Sequence, residues 1–335
     1  MGQPHKSRAG SMQFWPRKQA IRIYPRVRSW PIVAQATPLG FAGYKVGMTH
    51  TIIIDNKKTS KTKGEELFCP VTVVECPPLK ILSVRFYKYD VNKWVLKKEI
   101  MFNADKELGR KLSLPKTQIS AQESQEKLNS IAITDYDDVR INVYTQPKLA
   151  GVSKKKPEVF ELALGGPNEE KLKYVQEHVG KEIRVSEVFK SGQLLDVHGV
   201  TKGKGYQGPV KRFGVMIRQH KAEKTKRGPG SLGAWRGQGH MMYRVAHAGR
   251  MGFHTRTEYN KWLLKISDKV DEINPKGGFL SYGLVKSDYV LIKGSLSGHK
   301  KRLLRFNFPS RTTGNKSPQE APAIDYIHLD SSQGK

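Results

Sequence analysis

Acidic residues are the scarce component of this sequence: 30 Asp and Glu stand against 59 Lys and Arg, a formal net charge of +29 over 335 residues. So one-sided a charge excludes an ordinary balanced surface, because like charges destabilise a compact chain unless a polyanion neutralises them. Nucleic acid is the first partner to which this points, with an anionic membrane second. Cysteine is scarcer still, with Cys69 and Cys76 alone. Two cysteines exclude a disulfide framework and fit a reducing compartment, and lacking a second pair they read as buried small apolar side chains. Long apolar runs are missing too. The longest uncharged stretch, residues 29–44, holds Pro31, Pro38, Gly40 and Gly43 and is too short to span a bilayer. No apolar segment follows the first six residues, so no signal peptide is expected. Catalytic signatures (G-x-S-x-G, H-E-x-x-H, a P-loop, C-x-x-C) are absent, and nothing else favours an enzyme.

What is present is unevenly placed. Residues 1–54 carry 8 Lys/Arg and no acid, residues 198–260 carry 13 against 2, and residues 289–319 carry 7 against none. Those three stretches hold +26 of the +29, while residues 55–197 carry 25 basic and 21 acidic side chains, the ratio of a solvated globular surface. The first arm offers Lys6, Arg8, Arg17, Lys18, Arg22, Arg26 and Arg28 among prolines that favour extended backbone. It cannot bury its own Trp15 and Trp30, which need a surface supplied by the body or a partner.

Strand signals follow at residues 71–75, 81–87 and 94–96, and again at 139–144, 193–197 and 289–292, all β-branched or aromatic. Asp135, Asp137 and Asp138 read as solvated turn carboxylates ahead of one of them. The clearest helix signal, residues 167–175, has early acids and Gly180 as its stop. Strands without regular helix alternation argue for a β-barrel with an inserted helical subdomain rather than a doubly wound sheet.

Residues 198–260 hold 12 glycines, 6 aromatics, 5 histidines and 13 Lys/Arg. So little aliphatic content cannot make a core, and a structureless loop of this length is improbable in a compact domain, so something else must organise it. Glycine lets amides approach phosphates, cations neutralise them, and rings stack on bases. Gly203 to Gly208 matches G-x-G-x-x-G, but Pro209 follows at once, no amphipathic helix is expected and no ribose-binding acid lies about 20 residues on. His240, His247 and His254, spaced by seven, are interleaved with Arg244, Arg250 and Arg256, which would repel a divalent cation; hydrogen bonding to RNA suits them better than zinc.

Four blocks resemble a known family. They are Gly40-Phe41-Ala42-Gly43-Tyr44-Lys45-Val46-Gly47-Met48-Thr49; residues 197–214; residues 228–256 through Gly233-Ala234-Trp235; and Ile292-Lys293-Gly294-Ser295-Leu296-Ser297-Gly298. In content and order they resemble the ribosomal protein three family of the large subunit, and the length without a long tail resembles its archaeal form. The resemblance implies a mainly β fold: a translation-factor-like closed six-stranded β-barrel, an inserted α+β subdomain and long basic extensions. The layout expected is a basic extension at 1–37, barrel at 38–95, insertion at 96–185, a barrel strand at 186–202, a central extension at 203–260 with Trp235 at its tip, barrel at 261–310 and a tail at 311–335.

It further implies a structural protein without cofactor or metal, placed in the cytoplasmic ribosome. Such a protein binds the 3′ region of 23S-type ribosomal RNA early in assembly and reaches toward the peptidyl transferase centre. Neighbouring large-subunit proteins are expected partners, and neither a membrane nor a second copy is. Besides the first arm, the RNA-binding set is then Lys45, Lys202, Lys204, Lys211, Arg212, Trp235, Arg236, His240, Arg244, His247, Arg250, His254, Arg256, Lys300, Lys301 and Arg302. The alternatives are an RNA-modifying enzyme holding substrate with its basic arms and a DNA-compacting protein. The first wants a positioned acid, and the central arm has only Glu223 and Glu258; the second wants helix-in-groove or intercalating elements.

Overall fold

The computed structural model describes residues 7–57, 59–102, 105–115, 121–222, 224–234, 241–311 and 320–330. The chain divides into two compact units: an extension unit, Met1–Ile23 with Val200–Arg256, and a body, Tyr24–Gly199 with Thr257–Lys335. In chain order the strands are β1 (Gly40–Ile54), β2 (Glu66–Glu75), β3 (Leu79–Asp90), β4 (Lys93–Met101), β5 (Asp138–Thr145), β6 (Val159–Ala163), β7 (Glu182–Ile183), β8 (Leu194–Val200), β9 (Tyr206–Gln207), β10 (Gly249–Arg250), β11 (Thr255–Ser267), β12 (Tyr289–Lys293), β13 (Leu303–Asn307) and β14 (Ile324–Ile327). The helices are α1 (Ala121–Asn129), α2 (Asn168–His178), α3 (Val185–Val188) and α4 (Pro209–Phe213). The protein is mainly β, as its strand signals and few helix signals led one to expect.

The larger sheet of the body runs β13-β8-β11-β12-β2-β1-β14, and β13 also pairs with β1, so six strands close on themselves and β14 extends one edge. Phe41, Val71, Val73, Leu263, Leu291 and Phe306 of these strands are buried to 1% or less. Each such side chain contributes ~1.5–3 kcal/mol by leaving water. Gly43 in β1 permits close packing, since a Cβ there would stand 2.6 Å from Cys76 Sγ. Both cysteines are free and buried, as small apolar side chains should be.

A second sheet, β4-β3-β5-β6 with β7 beside β3, follows the Pro77-Pro78 break. It begins at Leu79, ahead of the insertion boundary expected at residue 96, because prolines that cannot donate to a ladder end β2 there. Helix α2 packs on β5 through a face that buries Leu172 and Val175, and Gly180, at φ +77°, lies just beyond its end. Asp138 is not a solvated turn residue: it opens β5 and is paired with Arg140 at 2.8 Å and Lys171 at 2.7 Å.

The first arm is divided between the units. Residues 24–39 lie within the body, where the Tyr24 hydroxyl donates to the Val159 carbonyl at 2.8 Å, the Gly166 amide to Val33 and the Leu39 amide to Ala163. Trp30 packs against the body's core, which supplies the surface its flanking sequence lacks. In the extension unit, the Ala9 amide donates to Phe213 and the Ala20 amide to Phe253, both at 2.7 Å. The glycine-rich segment is therefore organised, in part, by the N-terminal residues. The helix not expected after Gly208 does form, though for five residues only, with Pro209 preset at its first position and Gly214, at φ +65°, closing it.

Candidate nucleic-acid interface

The extension unit is built around one ring. Phe213, at the end of α4, is 1% exposed, and three guanidinium groups lie over it: Arg8 at 4.5 Å from the ring centroid, Arg17 at 4.6 Å and Arg212 at 5.1 Å. Arg8 and Arg17 also face Trp15, which meets Tyr243 edge-on at 5.7 Å, and Arg256 stacks on Phe14 at 4.5 Å. The arm and the central segment thus interleave arginines with rings where aliphatic side chains are lacking. Backbone pairing supports this cluster. His254, buried, bonds through Nδ1 to the Lys18 carbonyl at 2.7 Å, Thr201 and His254 exchange two bonds, and Arg212 Nη1 donates to the His247 carbonyl at 2.9 Å.

Among the described residues these arginines have no counter-charge. The sequence of the unit holds 18 Lys/Arg and a single acid, Glu223, which lies outside the described residues. Among the described residues no ion pair involves a cation of this unit. Burial lowers the Arg17 pKa first, and the neighbouring charges of Arg212, Arg8 and Arg256 lower it further; burial alone lowers those of Arg212 and Arg256. Arg8 Nε and Nη2, Arg17 Nε, Arg212 Nε and Trp15 Nε1 are buried without an acceptor. Buried donors are ordinarily satisfied; here only part of each guanidinium is, Arg17 donating to the Ser11 carbonyl at 3.0 Å, Arg212 to His247 and Arg256 to the Thr255 carbonyl at 2.8 Å, so the cluster has neutral acceptors, no described carboxylate, and donors left over.

The other expected RNA-binding residues fall into three groups. Lys18, Arg22, Lys202, Lys204, Lys211, Arg244, His247 and Arg250 are exposed on the extension unit, and Arg26 and Arg28 on the body. Lys45 and Arg302 are buried in the body; the Lys45 ammonium donates to the Leu296 and Gly298 carbonyls, while Lys300 Nζ donates to Leu280 at 2.5 Å and Lys301 is half-buried. Lys6, Trp235, Arg236 and His240 lie outside the described residues. Sequence reasoning passed over Phe14 and Phe213 as arginine platforms, and the one cue was that each adjoins a cation or tryptophan in the chain.

It also passed over Arg305. This side chain is 2% exposed, donates to the Glu161 carbonyl at 2.7 Å and the Pro25 carbonyl at 3.3 Å, and lies over Phe160 at 4.5 Å and Trp30 at 5.7 Å. Burial pushes its pKa down to about 9. No sequence signal separates it from the exposed cations around it.

Comparison with known proteins agrees over the full length. Residues 1–334 match the family model of ribosomal protein L3. The chain is 46% identical over 340 residues to the large ribosomal subunit protein uL3 of Methanothermobacter thermautotrophicus, covering 100% of both chains. It is 46% identical over 335 residues to that of Archaeoglobus fulgidus, covering 99% of each. To the Methanocaldococcus jannaschii protein of the same name it is 42% identical, covering 99% of this chain and 98% of the relative.

Proposed function

The chain belongs to the ribosomal protein L3 family, and from that premise we propose that it is a structural constituent of the large subunit of the cytoplasmic ribosome, without chemistry of its own, which binds 23S-type ribosomal RNA through its extension unit. The observation that carries this reading is that, among the described residues, no counter-charge stands by Arg8, Arg17, Arg212 and Arg256. An RNA backbone supplies what they lack, phosphate oxygens that accept from guanidinium forks, while exposed Tyr206 and Tyr243 offer faces to unstacked bases. No described helix is long and apolar enough to cross a membrane.

The finer reading follows from the family. The closed ring of six strands is a translation-factor-like barrel; the protein joins the 3′ region of the RNA early in assembly as a single copy among neighbouring ribosomal proteins; and the central extension carries Trp235 toward the peptidyl transferase centre. Salt titration of binding to a domain-sized 23S-type RNA tests the first part. Deleting residues 1–23 should flatten the log–log slope by ~0.7–0.9 for each phosphate no longer neutralised, and an unchanged slope contradicts it. For the second part, Trp235→Ala should leave the melting temperature of the free protein unchanged and alter tRNA accommodation or drug sensitivity in reconstituted subunits. Strong destabilisation of the free protein with normal tRNA handling contradicts it.

A further inference from the structure

On the body, three neighbouring strands turn an apolar face to solvent. β2 carries Phe68, β1 carries Met48 and His50, and Tyr326 of β14 and His328 just beyond it complete the row. The rings of Phe68, His50, His328 and Tyr326 follow one another with centroids 4.7, 4.3 and 6.4 Å apart. The Thr49 hydroxyl donates to the His328 carbonyl at 2.8 Å and the His328 amide to the His50 carbonyl at 3.1 Å, which fixes the row across the strands. Phe68 is 69% exposed, and Met48 and Tyr326 are exposed with it.

Beside the row lies a cavity of about 290 Å³ between β1 and residues 275–280, with Met48, Phe279 and the exposed Leu280 among its walls. Contiguous apolar surface rimmed by polar groups marks a contact with another molecule. Charge indicates which kind. Of the 59 Lys and Arg in the chain, Lys300 alone lines the cavity among the described residues, and its ammonium already donates to the Leu280 carbonyl at 2.5 Å. Glu66, two residues before Phe68, is exposed, as are Asp325 in β14 and Asp330 in the cavity wall. Among the described residues none of the three is in an ion pair. A phosphate backbone laid here would meet open carboxylates and one engaged cation, so these rings are poorly placed for RNA bases. Two copies of the chain pairing symmetrically through this face would set the carboxylates against each other. A protein segment that mixes lysines with apolar side chains complements both the rings and the acids.

We propose that this face of the body is the docking surface for a basic, apolar segment of a neighbouring large-subunit protein, with an apolar side chain entering the cavity beside Met48 and Leu280 and lysines meeting Glu66, Asp325 and Asp330. The inference rests on the reading of the chain as a large-subunit constituent and adds to it the place and the chemistry of a protein contact.

The test uses the full-length wild-type protein, free and within large subunits. Hydroxyl-radical oxidation should mark Met48, Phe68 and Leu280 in the free protein and lose most of that signal in the subunits. Carbodiimide crosslinking joins carboxylates only to amines in contact with them. In the subunits it should link Glu66, Asp325 or Asp330 to a lysine of another ribosomal protein, in a segment that also carries apolar side chains. Unchanged oxidation on assembly overturns the proposal, and so does protection without a crosslink to another protein, the outcome expected if RNA covers the face. Links only to lysines of this chain or of a second copy overturn it as well. If the wild-type protein sediments with large subunits, such a failure concerns this face alone; if it does not, the reading of the chain as a subunit constituent has failed with it.

Discussion

The body and the extension unit use the same side chains in opposite ways. In the body, Arg85 bonds Glu99 at 3.1 Å and Glu161 at 3.2 Å, Arg140 bonds Glu161 at 3.0 Å and Asp138 at 2.8 Å, and the Tyr87 hydroxyl donates to Glu161 at 2.6 Å. Even the buried Arg305 has carbonyl acceptors. In the extension unit four arginines crowd aromatic rings with no described carboxylate near them. A cation whose hydrogen bonds close within the fold contributes to folding, whereas one left open contributes when a polyanion arrives. Carbonyl acceptors do not separate the two regions, since Arg17, Arg212 and Arg256 have them too; the placement of carboxylates does.

The body's side of this contrast is disrupted most forcefully at Glu75. This fully buried carboxylate accepts from the Gly151, Lys286 and Ser287 amides and from the hydroxyls of Tyr282 and Ser287, tying two loops to the end of β2. Glu75→Ala strands several buried donors and should lower unfolding free energy by roughly 3–4 kcal/mol. Denaturant unfolding of the free protein measures this, and a loss below ~1 kcal/mol would show the cluster relaxing around the gap.

A smaller effect belongs to Glu161. Burial alone would raise its pKa, but hydrogen bonds from Tyr87, Arg140 and Arg85 together hold it below the usual carboxylate value. Its stabilisation is therefore complete above the ordinary carboxylate range and is lost as pH falls through the depressed folded value. Glu161→Gln should cost about 1–2 kcal/mol at neutral pH, a figure reduced by partial exposure. The deficit relative to wild type should shrink in acid. A deficit independent of pH would show that charge at this position is irrelevant.

Least of all should the free protein notice Arg17→Gln. Stability should change by no more than ~0.5 kcal/mol, because one member of a mutually repelling cluster is removed, while the salt slope for RNA should flatten by ~0.7–0.9. Marked destabilisation would place Arg17 among the cations that serve the fold.

How much of this was legible in the sequence depended on whether a residue's role was local. The strands at residues 71–75, 81–87, 139–144 and 289–292 and the helix ending before Gly180 carry their own periodicity and punctuation, and they are observed. β1 was not read as a strand, because Gly40, Gly43 and Gly47 look like breakers. At Gly40 and Gly43 the absent side chains are instead required by neighbouring strands, since a Cβ on Gly40 would stand 2.5 Å from the Phe306 carbonyl oxygen. β13 was hidden in a basic stretch because Arg305 reads as exposed, and only its distant acceptors, Pro25 and Glu161, make it a core residue. For the interface, charge counting showed excess positive charge in residues 1–54, 198–260 and 289–319. It could not show that residues 7–23 pack with the central segment while residues 24–39 join the body, since that division rests on backbone bonds to Phe213, Phe253, Val159 and Ala163.

On this account the extension unit's arginines are held open for RNA while the body's are engaged within the fold. The most direct measurement is the salt dependence of binding to a domain-sized 23S-type RNA, taken with the melting temperature of the free protein, for two variants: Arg8, Arg17, Arg212 and Arg256 all changed to Gln, and Arg85 and Arg140 changed to Gln. The first should lose about 3 in log–log slope, from four phosphates at ~0.7–0.9 each, and keep its melting temperature; the second should melt lower and keep its slope. An unchanged slope in the first variant, or a slope reduced equally in both, would contradict the account.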